Sequence, residues 1–186
     1  MTDAGPSEEI ILDACCIINL FGSGCVCEIL RALPARFWIA KFVYEREALY
    51  TLVDPASDQR ERINLDSLIS EQIIRIVDLD SEDEAATLVD LVTTLEDGEA
   101  HTCALALHRG FIIATDERKV LNLIRKSMPS LRTRTTTELI KSWADVADPP
   151  EKRLGDVLRR VRSHARFVPS RQDPLWEWWI ALVGRG

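Results

Sequence analysis

The chain lacks any uninterrupted apolar run of the roughly 18 residues that a membrane-spanning helix requires. Its opening, Met1 to Glu9, is polar and acidic, without the basic-then-apolar order of a secretory signal, so the expected location is the cytoplasm. Cysteine is scarce and odd in number. Three of the five (Cys15, Cys16, Cys25, Cys27, Cys103) lie inside apolar patterns, which suits reduced core thiols better than a disulfide framework. The Cys25-Val26-Cys27 pair lacks the two-residue spacing of zinc ribbons and has no second Cys/His pair at a matching distance, which argues against structural zinc. Histidine is rarer still: His101 and His108, seven apart on one predicted helix, read as surface or capping groups, and no Cys/His/Asp triad is visible.

Excess positive charge is also missing, since the 186 residues carry −7, and this argues against a generally cationic nucleic-acid coat. The average hides a strong segregation. Arg118 to Arg134 holds six cations and no acid, and Glu151 to Arg171 holds seven cations against two acids, so the rest of the chain is strongly acidic. Such a pattern builds a basic face on an acidic protein, or simply two solvated helix faces.

What is present is a globular composition, 46% hydrophobic, with length for one packed domain. We expect that domain over residues 1–146 and a basic, aromatic helical extension over 147–186. Ile10 to Leu12 reads as a buried strand, Val26 to Leu33 as a helix stopped by Pro34, and "RFWIA" as a second strand. The spacing in "KFVYEREALYTL" predicts a helix, "VDPASDQRERIN" a polar loop, "LDSLIS" a short helix and "QIIRIVDL" a third strand. Ser81 with Glu84 is a capping-box pattern for a helix over Glu82 to Leu95. A helix over Gly98 to Arg109 closed by Gly110, a strand over Phe111 to Ala114 and a helix over Glu117 to Lys126 follow. Apolar strands alternating with helices predict a three-layer α/β/α fold around a mainly parallel sheet.

In such sheets ligands bind beyond the carboxyl ends of the strands, which gives the acids their interest. Asp13 follows the first strand and Asp116 a later one; each could equally cap the turn or helix after it. Glu99 lies in the first turn of a small, oily helix and is expected to lean inward, with Asp97 as that helix's N-cap. A fourth acid comes from Glu47, whose helix face also carries Val43 and Tyr50, with Glu45 as competitor. Carboxylates converging at a sheet edge repel one another unless a cation neutralises them, and an all-oxygen set suits Mg²⁺ or Mn²⁺.

These residues resemble the PIN-domain family of metal-dependent ribonucleases, which includes many toxins of toxin–antitoxin pairs. "IILDACCIINL" is similar to the family's opening strand and first acid, and "DGEAHTCALALHRGFIIATDERK" to its later acid, Ala-rich helix and strand ending in Thr-Asp. The likeness spans about Ile10 to Ile140. It implies a Mg²⁺- or Mn²⁺-dependent endoribonuclease with Asp13, Glu47, Glu99 and Asp116 as metal and catalytic acids and Asp97 and Thr115 as auxiliaries. It also implies a small antitoxin protein and a homodimer as partners, besides the RNA substrate. The chain departs from the pattern at Cys15, where the family often has Ser, Thr or Asn.

Arg118, Lys119, Arg159, Arg160 and Arg162 are candidates for the RNA backbone. Trp176, Trp178 and Trp179 in the tail either stack on bases or pack the tail by burial. Two rival readings stay open: a catalytically inactive PIN-like module that binds nucleic acid or protein, and a phosphatase using Asp13 as nucleophile. The second is disfavoured because haloacid-dehalogenase-like enzymes carry an Asp where this chain has Cys15.

Overall fold

The computed structural model of the chain describes residues 8–184. Five strands form one sheet in the order β5-β2-β1-β6-β7, from β1 (Glu8–Leu12), β2 (Ala35–Ala40), β5 (Ile74–Val77), β6 (Ile112–Ala114) and β7 (Thr133–Arg134). Every pairing in it is parallel, with Ile10 opposite both Phe37 and Ile112, and Leu12 opposite Ala114. Parallel neighbours need crossover connections, and the helices supply them, so the fold is α/β with a helix-flanked parallel sheet, as expected for the α/β/α class. Ile10, Ile11 and Leu12 are at most 2% exposed, which is why β1 reads as a continuous apolar run rather than an alternating one.

The strand order fixes where a site can form. From β1 the chain moves outward to β2 and β5, then returns to lay β6 and β7 on the other side of β1. The order therefore reverses between β1 and β6, and at such a switch point the loops leaving the two strands part to leave a crevice.

The helices are α1 (Ala14–Gly22), α2 (Val26–Ala32), α3 (Lys41–Arg46), α4 (Asp66–Ser70), α5 (Glu82–Leu91), α6 (Asp97–Arg109), α7 (Arg118–Ser127), α8 (Thr136–Ala147), α9 (Glu151–His164) and α10 (Trp176–Val183). Ser81 caps α5 by accepting from the Glu84 N–H at 3.2 Å. Gly110 closes α6 in the left-handed region (φ 68°), where a side chain would be strained.

Two expectations are corrected. The helix predicted across "KFVYEREALYTL" stops at Arg46, and Tyr50–Asp54 is instead a strand, β3. The loop predicted after it contains β4 (Gln59–Arg62), paired antiparallel with β3 in a hairpin. Tyr50, Thr51 and Val53 carry the branched and aromatic side chains that favour a pleated surface, and cross-strand pairing outweighs the helical spacing. Three further elements, α1, the two-residue β7 and α8, are additions to the expected set.

The contact pattern divides the described residues into two compact units. One comprises 8–14, Pro34–Glu47 and Leu65–Arg134, the other Cys15–Leu33, Ala48–Asn64 and 135–184. The expected boundary at residues 146 and 147 falls inside the second unit. There Trp143 and Trp179 are fully buried, Trp179 meets Phe167 edge-on at 5.7 Å, and α9 packs on α10. Trp179 thus packs the tail by burial, while Trp176 and Trp178 are half-buried. Among the described residues no single helix is long and apolar enough to cross a membrane; α1 and α2 pass that test only as a pair bent by 112°.

Candidate functional site

The first acid is placed by the sheet itself. Asp13 follows β1 directly and is 3% exposed. Its N–H donates to the Ala114 carbonyl at 3.0 Å, extending the β1–β6 ladder by one step. One carboxylate oxygen, Oδ2, accepts from the Thr115 hydroxyl at 2.7 Å, and the other accepts from the Ala14 N–H at 2.8 Å. Thr115 is fully buried, and its hydroxyl also accepts from the Glu117 N–H at 3.2 Å, tying Asp13 to the start of α7. A buried carboxylate held at both oxygens is fixed in place and satisfied in its hydrogen bonding.

Asp116 comes next after Thr115 at the same edge and is half-buried. The N-cap of α7 is Glu117, so Asp116 is not that helix's cap. Asp97 is likewise not the cap of α6: that position is Glu96, and Asp97 is an exposed first-turn residue. Glu99 completes the capping box, accepting from the Glu96 N–H at 3.1 Å, while itself only half-exposed. The two adjacent acids were one register apart in their reading, because either could serve as a cap ahead of the small residues that follow.

Glu45 and Glu47 part company at the end of α3. Glu45 is exposed, whereas Glu47, the C-cap, leaves the helix in an extended conformation and is half-buried. Its carboxylate lies over the Cα of Gly98 in α6, so close that a Cβ there would stand 1.5 Å from Oε1. A glycine one residue into a helix costs stability, and the cost is explained by this approach. Gly98 and Glu96 were not singled out in the sequence; the glycine inside a helix start was the available signal.

The charges of these groups interact. The Glu47 carboxyl is pushed up to about 7, first by burial and then by Asp13, Glu96 and Glu99. Glu99 is raised by burial, against the lowering bond from the Glu96 N–H, with Asp13 and Glu117 adding to the rise. Cys103, buried in α6, is pushed up to about 12 by burial, with Asp13 and Glu99 contributing, so its thiol stays protonated and is no nucleophile. Asp13, Glu47 and Glu99 thus share one electrostatic neighbourhood, and no cationic side chain figures among the causes that act on Glu47 or Glu99.

The remaining candidates separate by partner. Arg118 and Lys119 are exposed in the first turn of α7, and Arg160 and Arg162 are exposed on α9. Arg159 is half-buried and held by Asp156 (2.6 Å) and the Leu182 carbonyl (3.3 Å), a structural arrangement between α9 and α10. His101 stacks on Phe42 at 4.3 Å and its Nδ1 bonds the Asp97 carbonyl at 2.7 Å, while His108 bonds Thr87 at 2.7 Å. All five cysteines are free thiols.

No protein-family model matches the chain, and no curated protein compared with it matches.

Proposed function

We propose that the chain is a divalent-metal-dependent endoribonuclease that hydrolyses RNA phosphodiester bonds, in the manner of the PIN-domain proteins its sequence resembles. The observation that carries the reading is electrostatic: burial and the neighbouring acids, Asp13 among them, raise both Glu47 and Glu99, close to the β1 end where the strand order reverses. Carboxylate oxygens suit Mg²⁺ or Mn²⁺. Asp13, Glu47 and Glu99 would hold the ion, with Asp116 at the same edge as the fourth acid. When bound, the ion supplies a water of lowered pKa and offsets the charge that builds on a phosphate under attack.

The chain's own residues do the rest. Thr115 and the Ala14 N–H keep both Asp13 oxygens oriented. Glu47, whose carboxyl is pushed up to about 7 without metal and whose Oε1 lies against Gly98, is the acid whose charge a bound cation would relieve most. Arg118 and Lys119 extend from the helix after Asp116 and are suited to the RNA backbone. The toxin role, with an antitoxin protein and a homodimer, belongs to the same reading and rests on the resemblance alone.

Cys15 favours a second reading, a PIN-like module that binds without cleaving, because a thiol replaces the hydroxyl or amide oxygen the family often has there. RNA cleavage measured with and without EDTA, for wild type and for Asp13→Asn, Glu47→Gln, Glu99→Gln and Asp116→Asn, separates them. Metal-dependent cleavage lost in Asp13→Asn supports the nuclease; undiminished cleavage in that variant would refute it. Mn²⁺ binding by calorimetry that depends on these acids, with no cleavage, would favour the module.

A further inference from the structure

The second unit holds a cavity that the carboxylate site does not use. It has a volume of about 170 Å³ and is lined by Tyr50, Thr51 and Leu52 of β3, Arg60 of β4, and His164 to Arg166 at the end of α9. Its wall carries two guanidinium groups and an imidazole, from Arg60, Arg166 and His164. The nearby carboxylates are Asp58, paired with Arg166, and Asp54, which interacts with His164. The antiparallel register sets Arg60 directly opposite Leu52, so the exposed arginine stands on the same side of the hairpin as that buried leucine.

Arg166 carries a second indication. It follows the last residues of α9 with φ 56°, the left-handed conformation that glycine normally takes after a helix. A branch-bearing residue held there is strained, and such strain persists where the side chain is needed. The Arg166 guanidinium pairs with Asp58 at the hairpin turn, another left-handed residue (φ 57°), and both side chains are about 60% exposed. An ion pair this exposed is weak, so an incoming anion can take the place of Asp58 at little cost. Arg60 makes no ion pair with a carboxylate among the described residues.

We infer that this cavity is a binding site for one phosphate group, with Arg60 and Arg166 as the paired guanidinium donors and His164, Tyr50 and Thr51 as further hydrogen-bonding groups. Guanidinium forks match phosphate oxygens in geometry and charge. The size agrees: the volume is below the roughly 300 Å³ at which pockets begin to enclose a whole small-molecule ligand, so it suits a single oxyanion head with the rest of its molecule outside. The phosphate could belong to a free phosphomonoester or to the backbone of an RNA strand; the chemistry of recognition is the same. The inference does not depend on the nuclease reading.

The test is calorimetric titration of the full chain at low ionic strength in EDTA. The probes are inorganic phosphate, adenosine 5′-monophosphate, and a short single-stranded RNA without a terminal phosphate. Binding of the first two alone identifies a free phosphate as the source, binding of the RNA identifies a strand, and either supports the site. Arg60→Gln is expected to weaken binding about tenfold or more, the scale of a lost charge-assisted hydrogen bond, with an unchanged melting temperature because Arg60 is exposed. Asp13→Asn is expected to bind as wild type, which keeps this result separate from the fate of the carboxylate site. In wild type, titration should also shift the His164 ring resonances. Absence of binding by every probe, or binding that Arg60→Gln leaves intact and that does not move His164, overturns the inference.

Discussion

The Glu47 carboxylate rests on the bare backbone of Gly98, with no room between them for a methyl group. The two belong to different helices, so this contact sets where α3 delivers its acid relative to Glu99 on α6. Gly98→Ala is the simplest probe of it. A helical Gly→Ala change ordinarily stabilises by roughly 1 kcal/mol, and the atom in the way is the far end of a flexible side chain, so the fold is expected to persist. Glu47 must move, however. The expected result is an unchanged or higher melting temperature together with a Mn²⁺ affinity, measured by calorimetry, reduced about tenfold or more, the effect of losing one charged contact.

Glu47 also predicts a pH dependence of stability in the absence of metal. Its carboxyl titrates at about 7 in the fold against 4.5 as the ordinary value. Below pH 4.5 both states are protonated and the group is neutral in its effect; between 4.5 and 7 the unfolded chain gives up the proton first, and stability falls as pH rises; above 7 the loss is complete. The full shift corresponds to roughly 3 kcal/mol, which solvent screening of a half-buried group reduces to roughly 1–2 kcal/mol. Melting in EDTA from pH 5 to pH 8 should show this decline in wild type and a flatter profile in Glu47→Gln. A wild-type profile no steeper than the variant's contradicts the assignment.

A different carboxylate shows the opposite sign. Glu84 is 3% exposed, and its oxygens accept from Arg109 Nε at 2.7 Å, Arg109 Nη2 at 3.2 Å and the Asp80 N–H at 2.8 Å. The Arg109 guanidinium is the main reason its carboxyl is held down at about 2. This pair therefore stabilises the fold above the ordinary carboxyl range and loses that effect only as pH falls toward 2. Arg109→Ala leaves a buried carboxylate uncompensated and is expected to cost about 3–5 kcal/mol in chemical denaturation at pH 7. Glu84→Gln, which removes the charge but keeps the shape, should cost less, and equal costs would show that charge is not what the pair contributes.

Thr115 is expected to act through Asp13. Thr115→Val keeps the shape of a fully buried side chain but removes the donor to Asp13 Oδ2, at a cost of about 1–3 kcal/mol in stability. If the carboxylate is a ligand, metal affinity should fall with it, while Thr115→Ser should restore the affinity. Rescue by serine distinguishes orientation of Asp13 from simple loss of packing.

The fold was legible where one signal dominated. β1 and β6 are apolar on both faces, Gly110 marks the end of α6, and Ser81 marks the start of α5. The sequence misled where two signals competed: the acids and leucines from Lys41 to Leu52 repeat at helical spacing, yet Tyr50 to Asp54 finds its hydrogen bonds in a hairpin partner. Asp97 and Glu96 were indistinguishable as caps because both are acids at a helix entrance, and only the geometry of the Glu96 N–H chooses between them. Glu84 was readable as a capping residue but not as a buried ion, since its partner Arg109 is 25 residues distant. The exposure of Glu45 and the inward placement of Glu47 depended on where α3 ends, which spacing alone does not reveal.

The hydrogen bond from Thr115 to Asp13 spans 102 residues of sequence. β1 is synthesised before α1 to α6, and its β6 neighbour only after them. Until then Asp13 has neither its ladder partner nor its hydroxyl donor. Closing so long a loop is a slow step in folding, because the entropy of closure is spent before the contact forms. A nascent or truncated chain ending before residue 112 therefore carries the first acid but cannot assemble the edge around it, so the order of synthesis keeps the site apart until β6 has been made.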